Sequence, residues 1–194
     1  MQDKDLTWEK VGSESGPELP LFKVRFDLMR HPNNAYTHRC LVLESPDWVN
    51  VVAVTAEGRA VMVEQFRYGA GEIGLEPPAG IVDPGEEPLA AAKRELLEET
   101  GYGAGRWHYL GAVQPNPAFH NNLCHHWLAT DVDYLQQPSP DPGEALRVRL
   151  MTPDELRAAF ATGDLKHTLA ISALSRVFAL WDLAPVASGP SGRP

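Results

Sequence analysis

Residues 80–102 read GIVDPGEEPLAAAKRELLEETGY, and this stretch decides the fold. Its opening lies within LEPPAGIVDPGEEP (75–88), which is dense in Gly and Pro and reads as loop. From Leu89 to Thr100, LAAAKRELLEET holds good helix formers throughout, with Leu89, Ala92, Leu96 and Leu97 toward one side. Gly101 follows where a helix C-terminus favours a left-handed residue. Glu95, Glu98 and Glu99 stand at i, i+3 and i+4, so their carboxylates share a face. As helix architecture this is unfavourable twice over. Like charges at that spacing repel by a few tenths of a kcal/mol, and the C-terminal end of the dipole costs each anion roughly 0.3–1 kcal/mol. A solvated acidic face is one explanation. The other is chemical, because clustered carboxylate oxygens suit a hard divalent cation. Mg²⁺ in particular takes its remaining ligands from water and substrate phosphate, and Mn²⁺ accepts the same donors.

Outward from this helix, the N-terminal side is strand-like. LFKVRFDLMR (21–30) alternates, with Phe22, Val24, Phe26 and Leu28 on one face, and HPNN (31–34) reads as a turn. RCLVLE (39–44) and the continuous apolar run WVNVVAV (48–54) follow, the second suited to a buried strand. AEGR (56–59) turns the chain into AVMVEQFRY (60–68). On the C-terminal side, strands are expected near 107–114, 123–130 and 145–151, with loops at 115–122 and 133–144. Thr152, Pro153 and Glu155 form a capping box that opens a helix to about Thr162, stopped by Gly163. A last helix is expected from about Thr168 to Leu183, then the low-complexity tail ASGPSGRP. This order predicts an α/β (α+β) architecture, a mixed sheet between helices.

Composition bounds the function. The chain has 194 residues, one domain's worth, with 26 acidic against 17 basic residues and a net charge of −9. Segments 83–99 and 131–144 each carry a net −4, so they hold nearly all of it. A net acidic chain without a basic stripe argues against nucleic acid or an anionic membrane as partner. No apolar run approaches the ~20 residues of a membrane span. The N-terminal MQDKDLTWEKVGSESG lacks the apolar core of a signal peptide, and Cys40 and Cys124 read as buried free thiols. A cytoplasmic protein is expected.

The segment from Gly80 to Tyr102 resembles the Nudix box, G-x(5)-E-x(7)-R-E-U-x-E-E-x-G-U, with U apolar or aromatic. Gly80, Glu86, Arg94, Glu95, Leu96, Glu98, Glu99, Gly101 and Tyr102 all fall on its fixed positions. The resemblance implies the Nudix α/β/α sandwich over residues 48–187. A small antiparallel β region (1–47) would precede it and serve dimerisation and cleft closure, and a flexible tail (188–194) would follow. It implies that Glu95, Glu98 and Glu99 ligate Mg²⁺, with the Ala79 carbonyl completing the shell. Arg94 would pair with Glu86 and so brace the catalytic glutamates from the loop.

The flanks narrow the group. EQFRYG (64–69) and LEPPAG (75–80) resemble the corresponding segments of ADP-ribose and nucleoside-diphosphate-sugar pyrophosphatases. In that likeness Arg67 grips a substrate phosphate, and Glu76 accepts from a ribose hydroxyl or joins the metal shell. A strand-end ion pair between them is the alternative. Pro117 stands near a proline of the same group. The general base falls on the acidic loop PSPDPGEALRV (138–148), as Glu144 or alternatively Asp141. Phe119 could stack on a base or simply pack, while His120 and His167 could line a sugar pocket. His125 and His126 face opposite sides of one strand and cannot chelate together. The implied activity is Mg²⁺-dependent hydrolysis of the diphosphate of ADP-ribose or a related nucleotide sugar, by a homodimer, to a nucleoside monophosphate and a sugar phosphate. Alternatives are GDP-mannose, dinucleoside polyphosphates or an mRNA cap as substrate, and a non-catalytic nucleotide-sugar sensor.

Overall fold

The computed structural model describes residues 3–181. A three-stranded antiparallel sheet comes first, in the order β1 (Glu9–Glu18), β2 (Lys23–Arg30) and β3 (Thr37–Glu44). Eight strands build a second, mixed sheet: β4 (Trp48–Thr55), β5 (Ala60–Arg67), β6 (Glu72–Glu76), β7 (Ala79–Ile81), β8 (Tyr102–Gly103), β9 (Arg106–Val113), β10 (Cys124–Tyr134) and β11 (Leu146–Met151). Its spine runs β11-β5-β4-β10-β8, with β6 on β5, β7 on β4 and β9 on β10. Within it β4 and β10 run parallel and the remaining pairs antiparallel. Three helices cover this sheet: α1 (Pro88–Thr100), α2 (Pro153–Thr162) and α3 (Thr168–Leu174).

The apolar run of β4 explains the layering. Val49, Val51 and Ala53 point one way and join Ala91, Ala92 and Leu96 of α1. Val52 points the other way and joins Leu156 and Ala159 of α2 with Ala170, Ala173 and Leu174 of α3. A strand buried on both faces has no polar alternation to show, which is why 48–54 reads as continuous. The architecture is the expected α+β sandwich behind an antiparallel N-terminal sheet. Gly101 caps α1 at φ 75°, and both hydrogen bonds of the Thr152–Glu155 capping box form at the start of α2.

Four local readings change. The Pro/Gly-rich stretch 75–88 is not all loop, because β6 ends at Glu76 and Ala79–Ile81 pair with β4 as β7. The polar segment Glu9–Glu18 is a strand that was not anticipated. It is held by pairing with β2 and buries little of its own, so it carries no apolar signal. Strand β10 runs past Thr130 to Tyr134, accommodating a bulge where Asp131 has φ 56°. The last helix stops at Leu174 rather than Leu183. Arg176 N bonds to Ala173 O in an i→i−3 turn, and Val177, Phe178 and Leu180 fold back onto the α2–α3 core. Residues 182–183 and the tail lie outside the described residues.

Candidate active site

Helix α1 places its C-terminal glutamates over β7, where Gly80 makes the approach possible. A Cβ on Gly80 would overlap the Glu95 carboxylate. Glu99 is 1% exposed; its Oε2 accepts from the Ala79 amide at 3.0 Å and its Oε1 has no partner. Burial, reinforced by Glu95 and Glu144 nearby, pushes its carboxyl up to about 8 against the pull of the Ala79 amide. Burial likewise raises Glu95 to about 7, although Arg94 Nη1 donates to it at 2.7 Å. Glu98 is 44% exposed and lies 3.3 Å from the same Nη1.

Arg94 forks onto Glu86 at 3.0 and 2.9 Å and also donates to the Ile81 carbonyl. It thereby ties the loop 82–87 to the helix, the bracing role anticipated for it. Opposite α1, the acidic loop is sewn down by Leu135 N to Gly101 O and Ser139 N to Glu98 O, both 2.8 Å. Within that loop Asp141 N donates to Glu144 Oε2 at 3.2 Å, and Glu144 N to Asp141 O at 2.8 Å.

A cleft of about 820 Å³ gathers Arg67, Ala79, Arg94, Glu95, Glu98, His120, Asp141, Glu144 and His167. Several anticipated site residues stand differently. Glu76 is fully buried, accepting the Arg67 fork at 2.8 and 2.8 Å, with His167 Nδ1 2.9 Å from its Oε2. Burial alone would raise its carboxyl, but those partners hold it at about 2. Glu76 is therefore an anchor rather than a ribose acceptor, since Arg67 and His167 occupy both of its oxygens. Two arms of Arg67 are committed to it, which is the strand-end ion pair. Ala79 contributes its amide to Glu99, beyond the carbonyl role foreseen for it. Pro117 and Phe119 do not line the cleft. Phe119 packs edge-on against His120, and its carbonyl accepts from Leu43 N at 2.7 Å, so the loop docks on β3 instead of stacking a base. His125 and His126 do separate: His125 bonds Asp47 and Tyr109, whereas His126 is fully buried. Asn50 also lines the cleft and was missed. A polar residue inside the apolar run WVNVVAV was the available signal.

This donor set fits a divalent cation. Burial raises two carboxylates, Glu95 and Glu99, and one buried oxygen is unpartnered. Among the described residues no three His, Cys, Asp or Glu side chains converge closely enough, as they stand, to hold a metal ion. Glu95 and Glu98 instead line one wall of the cleft, with Glu99 buried behind them. Glu95, Glu98 and Glu99 could hold such an ion and leave positions for water and phosphate.

The comparisons with known proteins follow this geometry. A family profile described as the NUDIX domain matches residues 45–170. The chain is 35% identical over 137 residues to the ADP-ribose pyrophosphatase of Bacillus subtilis (strain 168), covering 71% of each chain. It is 30% identical over 175 residues to the ADP-ribose pyrophosphatase of Mycobacterium tuberculosis (strain ATCC 25618 / H37Rv), covering 89% of this chain and 84% of that one. Its fold is similar to a solved structure titled "Crystal structure of ADP compounds hydrolase", with a TM-score of 0.77 at 21% identity, over 88% of this chain and 91% of that one. With the box complete on α1 and its lead-in, and the profile matching well over half its length, the chain belongs to the Nudix family.

Proposed function

We propose that this protein hydrolyses the diphosphate of ADP-ribose, or of a related nucleoside diphosphate sugar, to a nucleoside monophosphate and a sugar phosphate. The observation that carries this reading is the meeting of Glu95, Glu98 and the Glu144 loop on one cleft, with Glu99 buried behind Glu95 and within reach of the Glu95 and Glu144 charges. Similarity to two proteins named ADP-ribose pyrophosphatase supports the substrate class. Mg²⁺ bound at Glu95, Glu98 and Glu99 would neutralise diphosphate oxygens and lower the pKa of water. Glu99 and Glu95 would hold the ion, with Gly80 leaving room for the second carboxylate. Arg94 keeps helix and loop in register and is a positioning residue. Glu144 would accept the proton of the attacking water, with Asp141 as the alternate. Arg67, drawn to Glu76 by two arms, would present its remaining nitrogen to a substrate phosphate.

The N-terminal sheet exposes Leu28 and Leu41, and we place a homodimer contact there. No helix of the described residues is long and apolar enough to cross a membrane. Cys40 and Cys124 are free, which suits a cytoplasmic setting.

The test is a panel of ADP-ribose, ADP-glucose, GDP-mannose and diadenosine tetraphosphate, each with and without Mg²⁺, followed by added phosphatase and phosphate release. Mg²⁺-dependent turnover that favours the nucleoside diphosphate sugars is expected. Turnover of none of them, with tight ADP-ribose binding, would indicate a sensor and overturn the reading.

A further inference from the structure

Strand β4 carries one amide in its apolar run, Asn50, and that residue is 2% exposed. Parallel pairing sets it beside His126 of β10, and Cys124, two residues before His126, shares that face. The Cys124 thiol lies 3.0 Å from Asn50 Oδ1 and donates to it. Burial pushes the thiol up to about 12, so it keeps its proton at any working pH. With the amide oxygen toward sulfur, Nδ2 is left over. Asn50 lines the cleft, and this Nδ2 has no partner among the described residues. A buried donor without an acceptor is costly, and cores rarely keep one without use.

Its two near neighbours on β10, the Cys124 thiol and the His126 ring, are uncharged, while the charged groups of the cleft belong to the wall formed by Arg67, Arg94 and the α1 glutamates. His126 is fully buried, with neither ring nitrogen partnered, and burial together with nearby Arg176 draws it down to about 4. His120 lines the same cleft, lies edge-on to Trp48 at 6.1 Å, and has an unpartnered buried Nδ1. Neutral donors and acceptors match hydroxyl groups, whereas a further phosphate calls for Arg or Lys.

We propose that Asn50 is a specificity-determining residue for the glycosyl half of the substrate: its Nδ2 donates to a sugar hydroxyl oxygen at the floor of the cleft, and Cys124 is the positioning residue that aims the amide. This rests on the nucleotide-sugar reading of the cleft. It deepens that reading by naming what recognises the sugar.

The test uses the full chain as wild type, Asn50→Ala, Cys124→Ala and Cys124→Ser. Two substrates are compared with Mg²⁺: ADP-ribose, and the β-methyl ester of ADP, which keeps the diphosphate and lacks the sugar. For Asn50→Ala, KM for ADP-ribose should rise about 10-fold with kcat within about 2-fold, as for loss of one uniformly made hydrogen bond. The methyl ester should be unaffected. Cys124→Ala should move ADP-ribose the same way by about 3-fold, and Cys124→Ser, which restores a donor, should return it to wild type. Equal effects on both substrates, or none on either, would overturn the inference. If wild type turns over neither substrate, the proposed reaction fails on its own. Calorimetric binding of ADP-ribose then decides the Asn50 inference, which survives if Asn50→Ala weakens binding about 10-fold. Absence of binding to wild type would overturn it too.

Discussion

Glu99 sits on the buried side of α1 with Ala92 and Leu96, where packing alone would place an apolar side chain. Its neighbour Glu95 occupies the space that Gly80 leaves by having no side chain. Gly80→Ala should therefore displace the Glu95 carboxylate and lower kcat by about 10–100-fold, if that carboxylate holds the reacting phosphate's cation. Circular dichroism and thermal melting should stay near wild type, because the atoms a Cβ would meet are the far end of the flexible Glu95 side chain. A large loss of fold with activity per folded molecule retained would contradict the assignment. Glu144 makes a different kind of claim. It is exposed on the loop that Ser139 pins to α1, and its charge reaches Glu95 and Glu99. Glu144→Gln should cut kcat by about 10²–10⁴ while Mg²⁺ binding persists. Asp141→Asn showing that loss, with Glu144→Gln near normal, would move the role to Asp141.

At the level of elements, α2 shows how local chemistry can be read without tertiary knowledge. Thr152 and Glu155 exchange backbone and side-chain hydrogen bonds across the first turn, at 3.2 and 2.7 Å. Thr152→Ala removes the cap and should cost about 1 kcal/mol, or roughly 2–4 °C in Tm for a chain of this size. KM and kcat should not change, since α2 packs on the sheet face away from α1. Caps, turns and the helix carrying the box were legible because each is written within a few consecutive residues. β1 was not legible, because Glu9–Glu18 depends on the ladder offered by β2 rather than on its own composition. β7 hid among prolines because its three residues pair with β4 far away in sequence. The helix from Thr168 looked longer than it is for the converse reason. Residues 177, 178 and 180 are apolar at a plausible helical spacing, yet they reach the core by a turn. In the site, the glutamates and Arg94–Glu86 were visible in the motif, whereas the closure of Glu76 by Arg67 and His167 required three separate elements to converge.

Across the whole molecule, the acidity of −9 is not spread over the surface. Its two acidic segments meet, one as α1 with its lead-in and the other as the loop facing it, so their repulsion is concentrated at the cleft. This makes stability a reporter of the cation. Glu95 and Glu99 titrate in the fold at about 7 and about 8, above the ordinary carboxylate value of 4.5. Between those limits the native state binds more protons than the unfolded chain, so stability falls as pH rises. Other shifted groups change this little between pH 6.5 and 8.5. Glu76, held at about 2, is ionised in both states. His126, drawn to about 4, opposes the slope by roughly a few tenths of a kcal/mol, because its unfolded form is half protonated at 6.5 and loses that proton by about pH 7.5. Cys124, at about 12, begins to matter only near its unfolded value of 9.0. In chelator, raising the pH from 6.5 to 8.5 should therefore cost on the order of 1–2 kcal/mol, or about 2–8 °C in Tm. Mg²⁺ binds the ionised carboxylates of the folded chain, so it should raise Tm more at pH 8.5 than at pH 6.5 and flatten the slope. Sodium chloride at equal ionic strength should not reproduce this, because the glutamates are screened little where they are buried. A Tm that is level across this range in chelator and indifferent to Mg²⁺ would mean that these glutamates neither carry the strain nor bind the ion.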